Sequence, residues 1–171
     1  TVMPILVKAL LDNRARYAKW AEKMGEEALF EKHPKARGYL RPREGYRLFA
    51  GREAMCARLA ARRITDAEMA ALEAAHENCR RLAAAGDIDA YYTANSGFHA
   101  CIYLTTYNTF LEREASRLHA VLQPYRRMQL QVRNRMARSF AEHDAVVAAI
   151  RAGNDAAAAD AMRDHVVIQG D

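Results

Sequence analysis

The 171 residues are 51% hydrophobic, alanine-rich and poor in proline, with a net charge of +5. Val, Ile, Thr and aromatics are not gathered into short alternating runs, so the composition favours helices over sheet, and no apolar stretch approaches the ~20 residues of a membrane span. Cys56, Cys79 and Cys101 are widely spaced with no Cys-x-x-Cys pair, the usage of small buried residues in an intracellular protein and not of a disulfide framework. The modest positive charge is what Arg-rich exposed helix faces produce.

In chain order, the apolar start TVMPILVKALL lacks a basic leader and a cleavage site and is read as part of a fold. The amphipathic RARYAKWAEKM follows. Gly25 and EKHPKARGYLRPREGY then break helicity and read as a turn or hairpin. Regular punctuation begins at residue 46. Leu48, Met55 and Leu59 mark the apolar face of a first helix over 46–63. Thr65 and Glu68 form a capping-box pattern for a second helix that Gly86 ends. Asp87 caps a third, running to about 106. After a turn at Asn108, a long helix is expected to reach about 137, kinked at Pro124. Ser139 and Glu142 form a second capping-box pattern, Gly153 closes that helix, and Asp155 caps a last one through 168. The expectation is an all-α antiparallel bundle of about six helices. The domain over 46–171 follows a short basic segment over 1–45.

Within this frame four side chains form a coordinating pattern. Asn95 and His99 lie one helical turn apart on one face. His143 and His165 lie ten residues before and twelve after Gly153, which sets them level across an antiparallel hairpin. Apolar neighbours (Val146, Val147 and Ile150; Met162 and Val166) put both on the inner face. Three histidines with one oxygen donor suit Zn first, with Ni, Mn or Fe(II) as alternatives. A histidine taken singly is more often a hydrogen-bonded core or boundary residue. His33, His76 and His119 receive that reading, the last two on solvent faces.

From residue 46 to 168 the landmarks LFAGREAMCARLAARRITDAE, DIDAYYTANSGFHACIY, YNTFLE and RSFAEHDAVVAAIRAGNDAAAADAMRDHV resemble the FCD domain. This is the ligand-sensing C-terminal domain of GntR-type transcription regulators of the FadR-like subfamily. The resemblance implies a helical bundle holding a divalent metal through Asn95, His99, His143 and His165, where many members carry Asp in place of Asn95. It also implies that Arg52 meets the carboxylate of an organic-acid effector. It implies further a winged helix-turn-helix ahead of the bundle. LFEKHPKARGYL resembles the end of one: a short strand, a basic wing about Gly38 and a return strand. Lys32, Lys35 and Arg37 would contact DNA phosphates. RARYAKWAEKM gives no recognition helix, so residues 1–45 are read as a divergent or incomplete DNA-binding part.

The functional expectation is a cytoplasmic transcription regulator, not an enzyme and not a membrane protein. It would form a C2 homodimer, paired through the alanines of the first helix (Ala50, Ala54, Ala57, Ala60 and Ala61), and bind an operator, a metal and a small carboxylate. The alternative is a small metal-dependent hydrolase or oxygenase on the same histidines. Against it, Glu142 and Asp144, which flank His143, are expected to point elsewhere on the helix. A second alternative is a helical interaction domain with incidental histidines.

Overall fold

A punctuated helical sequence needs each helix end satisfied, and the caps divide residues 42–167 into six helices. The structure is a computed structural model that describes residues 16, 19–20, 22–25, 28, 31–32, 42–132 and 134–167. The helices are α1 (Pro42–Arg63), α2 (Asp66–Ala85), α3 (Ile88–Leu104), α4 (Thr109–Gln129), α5 (Arg135–Arg151) and α6 (Asp155–Val167). No strand occurs among the described residues, so the bundle is all-α, as its composition predicts. The chain divides into two compact units at 45/46. No described helix is long and apolar enough to cross a membrane.

Local chemistry sets most of these boundaries. The Thr65 hydroxyl accepts from Glu68 N–H while the Glu68 carboxylate accepts from Thr65 N–H at 2.9 Å, a reciprocal capping box. Gly86 closes α2 at φ 73°, left-handed backbone that suits glycine. Asp87 caps α3 by accepting from Ala90 N–H at 2.9 Å, and Asn108 caps α4 by accepting from Leu111 N–H at 3.0 Å. Gly153 turns the α5–α6 hairpin at φ 65°. There Asn154, not Asp155, takes the capping role, accepting from Ala157 N–H at 3.1 Å.

Several expectations are corrected. α1 begins at Pro42, four residues early, where the missing proline N–H costs nothing in a helix's first turn. α4 runs through Pro124 but stops at Gln129. The chain turns at Asn134, a left-handed non-glycine residue at φ 61°, and α5 starts at Arg135. Ser139 is therefore a buried residue inside α5 and not a cap. In the N-terminal unit, Glu31 and Lys32 are helical where LFEKHPKARGYL predicts a short strand.

The core is lined by Phe49, Leu72, Tyr91, Phe98, Ile102, Val146, Ile150, Met162 and Val166, each contributing roughly 1.5–3 kcal/mol of transfer free energy. α2 packs on α3 and α5, α3 on α4, and α5 on α6. α1 inserts Phe49, Ala50, Ala54, Cys56, Ala57, Ala60 and Ala61 into this core. Those alanines thus let the bundle's own helices approach, and the expected pairing face is interior. Leu48 and Met55, expected inside, are 54% and 47% exposed. This rotation of α1 carries Glu53 to the interior and leaves Arg52 half-exposed. Cys56 and Cys79 are buried, Cys101 is half-buried, and all three are free thiols.

Candidate metal centre

Three helices deliver three imidazoles to one point. His99 comes from α3, His143 from α5 and His165 from α6, all with no exposed surface. One ligand atom from each lies within 4.8 Å of the others. His143 Nε2 and His165 Nε2 are 3.3 Å apart. Two nitrogens bound tetrahedrally to one metal at the usual ~2.0–2.1 Å would be separated by about 3.3 Å. The level placement that the Gly153 hairpin predicts is realised.

Each ring is held from behind. His99 Nδ1–H donates to Glu53 Oε2 at 2.8 Å, and Glu53 Oε1 accepts from the Tyr103 hydroxyl. His165 Nδ1–H donates to Glu142 Oε2 at 2.6 Å, and Arg135 grips the same carboxylate in a two-pronged pair at 2.9 and 3.0 Å. A carboxylate on Nδ1 leaves Nε2 as the lone-pair nitrogen and raises its basicity, the usual support for a metal-ligating histidine. His143 has no such carboxylate. Its Nδ1 is buried without a hydrogen bond, and its ring is oriented by stacking on Phe98 at 4.1 Å and 17°.

Burial keeps all three imidazoles well below the ordinary histidine pKa. Arg126 adds to this at His99, and the neighbouring histidines add to it at His143. They are neutral at physiological pH, as ligands must be. Asn95 Oδ1 is a buried oxygen without a hydrogen-bond partner, one turn before His99. It lines a small pocket with Tyr92, Arg126, Gln129, Leu130, Arg135 and Ser139. An orphaned acceptor costs about 1–3 kcal/mol, and a cation is one group that would satisfy it. None of the three histidines lines that pocket; the three imidazoles by themselves fit a divalent ion, which would take the His99 Nε2 lone pair that now faces an Arg126 nitrogen at 3.0 Å.

Other predicted residues lie elsewhere. The Arg52 guanidinium donates to Glu114 Oε2 on α4 at 3.0 Å and is about a third exposed. Lys32 is exposed on a helical residue. Lys35, Arg37, Gly38 and His33 lie outside the described residues.

His119 is not on a solvent face: it is 7% exposed. Its Nδ1 lies 2.7 Å from an Arg126 nitrogen and 3.0 Å from the Tyr103 hydroxyl, and its Nε2 lies 3.2 Å from Ser96 Oγ. Burial, then Arg126, pulls its pKa down to about 2. His76 is also partly covered, stacked on Phe140 at 4.5 Å and bonded through Nε2 to Asp144 at 2.7 Å. Charged residues next to His76 and His119 in the sequence point outward while the rings turn in.

Sequence reasoning missed the supports. Glu53, His99 and His119 form a second close group. Arg126, 2% exposed, sits against them with a nitrogen 3.0 Å from His99 Nε2. Glu53 lies beside the arginine that was singled out, and only the phase of α1 separates them. Glu142 precedes His143, but its partner His165 is 23 residues away.

Residues 46–167 match the FCD domain family. No curated protein sequence matches the chain. Among solved structures, it is similar to "Streptococcus agalactiae GntR" at 23% identity and TM-score 0.62, covering 72% of this chain and 55% of that one. It is also similar to "E. coli McbR/YncC" at 18% identity and TM-score 0.66, covering 72% of this chain and 59% of that one. At such identities the likeness is one of fold. The chain spans little more than half the length of either.

Proposed function

This chain belongs to the FCD domain family, and on that premise we propose that it is the effector-sensing part of a GntR-type transcription regulator. It would bind a divalent metal and a small organic acid and convey their binding to an operator-bound DNA-binding part. The observation that carries this reading is the convergence of His99, His143 and His165, with two of the three rings fixed by buried or half-buried carboxylates.

His99, His143 and His165, with Asn95 as the oxygen donor, would hold the ion, with zinc the first choice. A bound divalent ion supplies Lewis-acidic positions for an effector carboxylate. The chain's own part is to orient the rings, exclude water and place a cation beside them. Arg126, buried against His99 and His119, is the guanidinium best placed to meet an anion. Arg52, the other candidate, would first have to leave Glu114.

The reading is a sensor and not an enzyme because the nearby carboxylates already have partners. Glu142 serves His165 and Arg135, Asp144 serves His76, and Glu53 serves His99 and Tyr103. None is free to act as general base without dismantling the site. The reading extends to a cytoplasmic C2 homodimer and to DNA contact through the N-terminal part, with Lys32, Lys35 and Arg37 on phosphates. Effector binding shifts the regulator only through different affinities for its two states.

A thermal-shift screen of small carboxylates with and without EDTA tests this. A ligand at a hundred times its Kd stabilises the native state by ~2.7 kcal/mol, about 5–10 °C for a domain of this size. A carboxylate that stabilises only without EDTA supports the reading. If those that bind do so equally in EDTA, the metal has no part in sensing.

A further inference from the structure

α3 and α4 leave an open groove between them, of about 260 Å3, lined by none of the three histidines of the metal centre. It is lined by Tyr92, Ser96, Tyr103, Ser116, His119 and Gln123, with Ala100 and Ala120. Its size is close to the lower end of ligand pockets, roughly 300–1,000 Å3, which suits a small molecule and not a polymer. The lining is chemically uniform in one respect: it offers hydroxyls, an amide and an imidazole, with no Lys, Arg, Asp or Glu among these residues. The nearest charges, Arg126 behind His119 and Glu53 behind Tyr103, are already engaged with those residues and do not line the groove, so an anion or cation entering here would meet no direct counter-charge. A neutral molecule with several hydroxyls would find matched donors and acceptors, while the two alanines and the Tyr92 ring would cover its apolar face.

The groove is also wired to the metal centre. On its groove side His119 Nε2 meets Ser96 Oγ at 3.2 Å, and Ser96 in turn donates to the Tyr92 carbonyl at 3.0 Å. On the other side an Arg126 nitrogen lies 2.7 Å from His119 Nδ1, and its second nitrogen lies 3.0 Å from His99 Nε2. One side chain therefore separates the groove from a ligand histidine. The geometry points to a second ligand site, distinct from the metal centre, that takes a small neutral polyhydroxy compound and whose occupancy is felt at His99 through His119 and Arg126. A ligand hydroxyl that replaces Ser96 Oγ at His119 Nε2, which also lies 3.1 Å from an Arg126 nitrogen, would repolarise this chain of hydrogen bonds. Binding at the groove stands on its own lining. Only the coupling rests on the metal reading above.

The test is titration calorimetry on the full chain with D-mannitol, D-glucose, myo-inositol and D-gluconate, with EDTA and with zinc. At least one of the three neutral compounds should bind in EDTA at millimolar Kd or tighter. Ala120→Phe and Ser116→Leu, both at exposed positions, should fill the groove and weaken that binding about tenfold or more, leaving zinc affinity unchanged. The neutral compound should change zinc affinity by about fivefold, an effect that His119→Phe abolishes. The site is overturned if none of the three binds. It is overturned equally if both filling variants bind normally, or if only gluconate binds and only with zinc, which would put the ligand on the metal. An unchanged zinc affinity with the neutral compound bound would overturn the coupling.

Discussion

Glu142→Gln tests whether the carboxylate behind His165 sets up a metal ligand. Glu142 Oε2 accepts the His165 Nδ1 proton at 2.6 Å, and both its oxygens accept from Arg135. Glutamine keeps the shape but has one acceptor oxygen and two amide hydrogens. If the oxygen stays with His165, the amide hydrogens face the Arg135 guanidinium, which is only 3% exposed. If it turns to Arg135, His165 loses its tautomer lock. Loss of such an outer partner typically weakens metal binding 10–100-fold, or about 1.4–2.7 kcal/mol. Zinc competition against a chromophoric chelator at pH 7.5 measures this. Asp144→Asn, which removes the carboxylate on the other side of His143 and disturbs only the His76 pair, is the control and should stay within about threefold, a surface-pair effect. Zinc affinity in Glu142→Gln within twofold of the parent, with the fold intact, would refute the claim that His165 ligates through Nε2.

Single substitutions His99→Ala, His143→Ala and His165→Ala should each remove most of the bound zinc by elemental analysis. His119→Ala should keep full stoichiometry while losing ~1–3 kcal/mol of stability, because Ser96, Tyr103 and Arg126 lose a buried partner. Asn95→Asp should tighten zinc binding about tenfold or more (~1.4 kcal/mol), because a charged oxygen ligand replaces a neutral one; weaker binding, as when Arg126 and Arg135 take the new carboxylate, would remove Asn95 from the ligand set. Acid should destabilise the EDTA-treated protein steeply. Burial depresses the pKa of His99, His119, His143 and His165 in the folded state. Unfolded histidines protonate near 6.5, so this stability is complete above ~6.5 and is lost as pH falls, by up to ~1.4 kcal/mol per pH unit for each ring. Glu53, raised by burial, acts in the opposite sense in its own titration range. A urea midpoint that stays flat between pH 7 and 5 would contradict the neutral-histidine core.

The parts of this fold that were legible in the sequence are those set by contacts within a few residues. Thr65 with Glu68, Gly86, Asp87 and Gly153 each do locally what their chemistry implies. The His143–His165 pairing was legible for a related reason, since a tight hairpin converts sequence distance from Gly153 into height along two helices. The phase of α1 was not. Leu48 and Met55 look like core and Glu53 like surface, yet the alanines, gathered on one face of α1, pack inside and draw Glu53 in with them. Ser139 and Glu142 have the spacing of a capping box, but Glu142 is committed to His165 and Arg135, contacts that no local pattern reports. The end of α4 carried no glycine or proline signal at all, because Asn134 supplies the left-handed turn.

The central claim is a three-imidazole metal site. Zinc-edge X-ray absorption on the chain purified without a nickel column and loaded with one equivalent of zinc tests it most directly. The account predicts three imidazole nitrogens at about 2.0–2.1 Å with further light-atom oxygen scattering. A sulfur shell near ~2.3 Å, fewer than two imidazoles, or failure to retain the equivalent of zinc after gel filtration would contradict it.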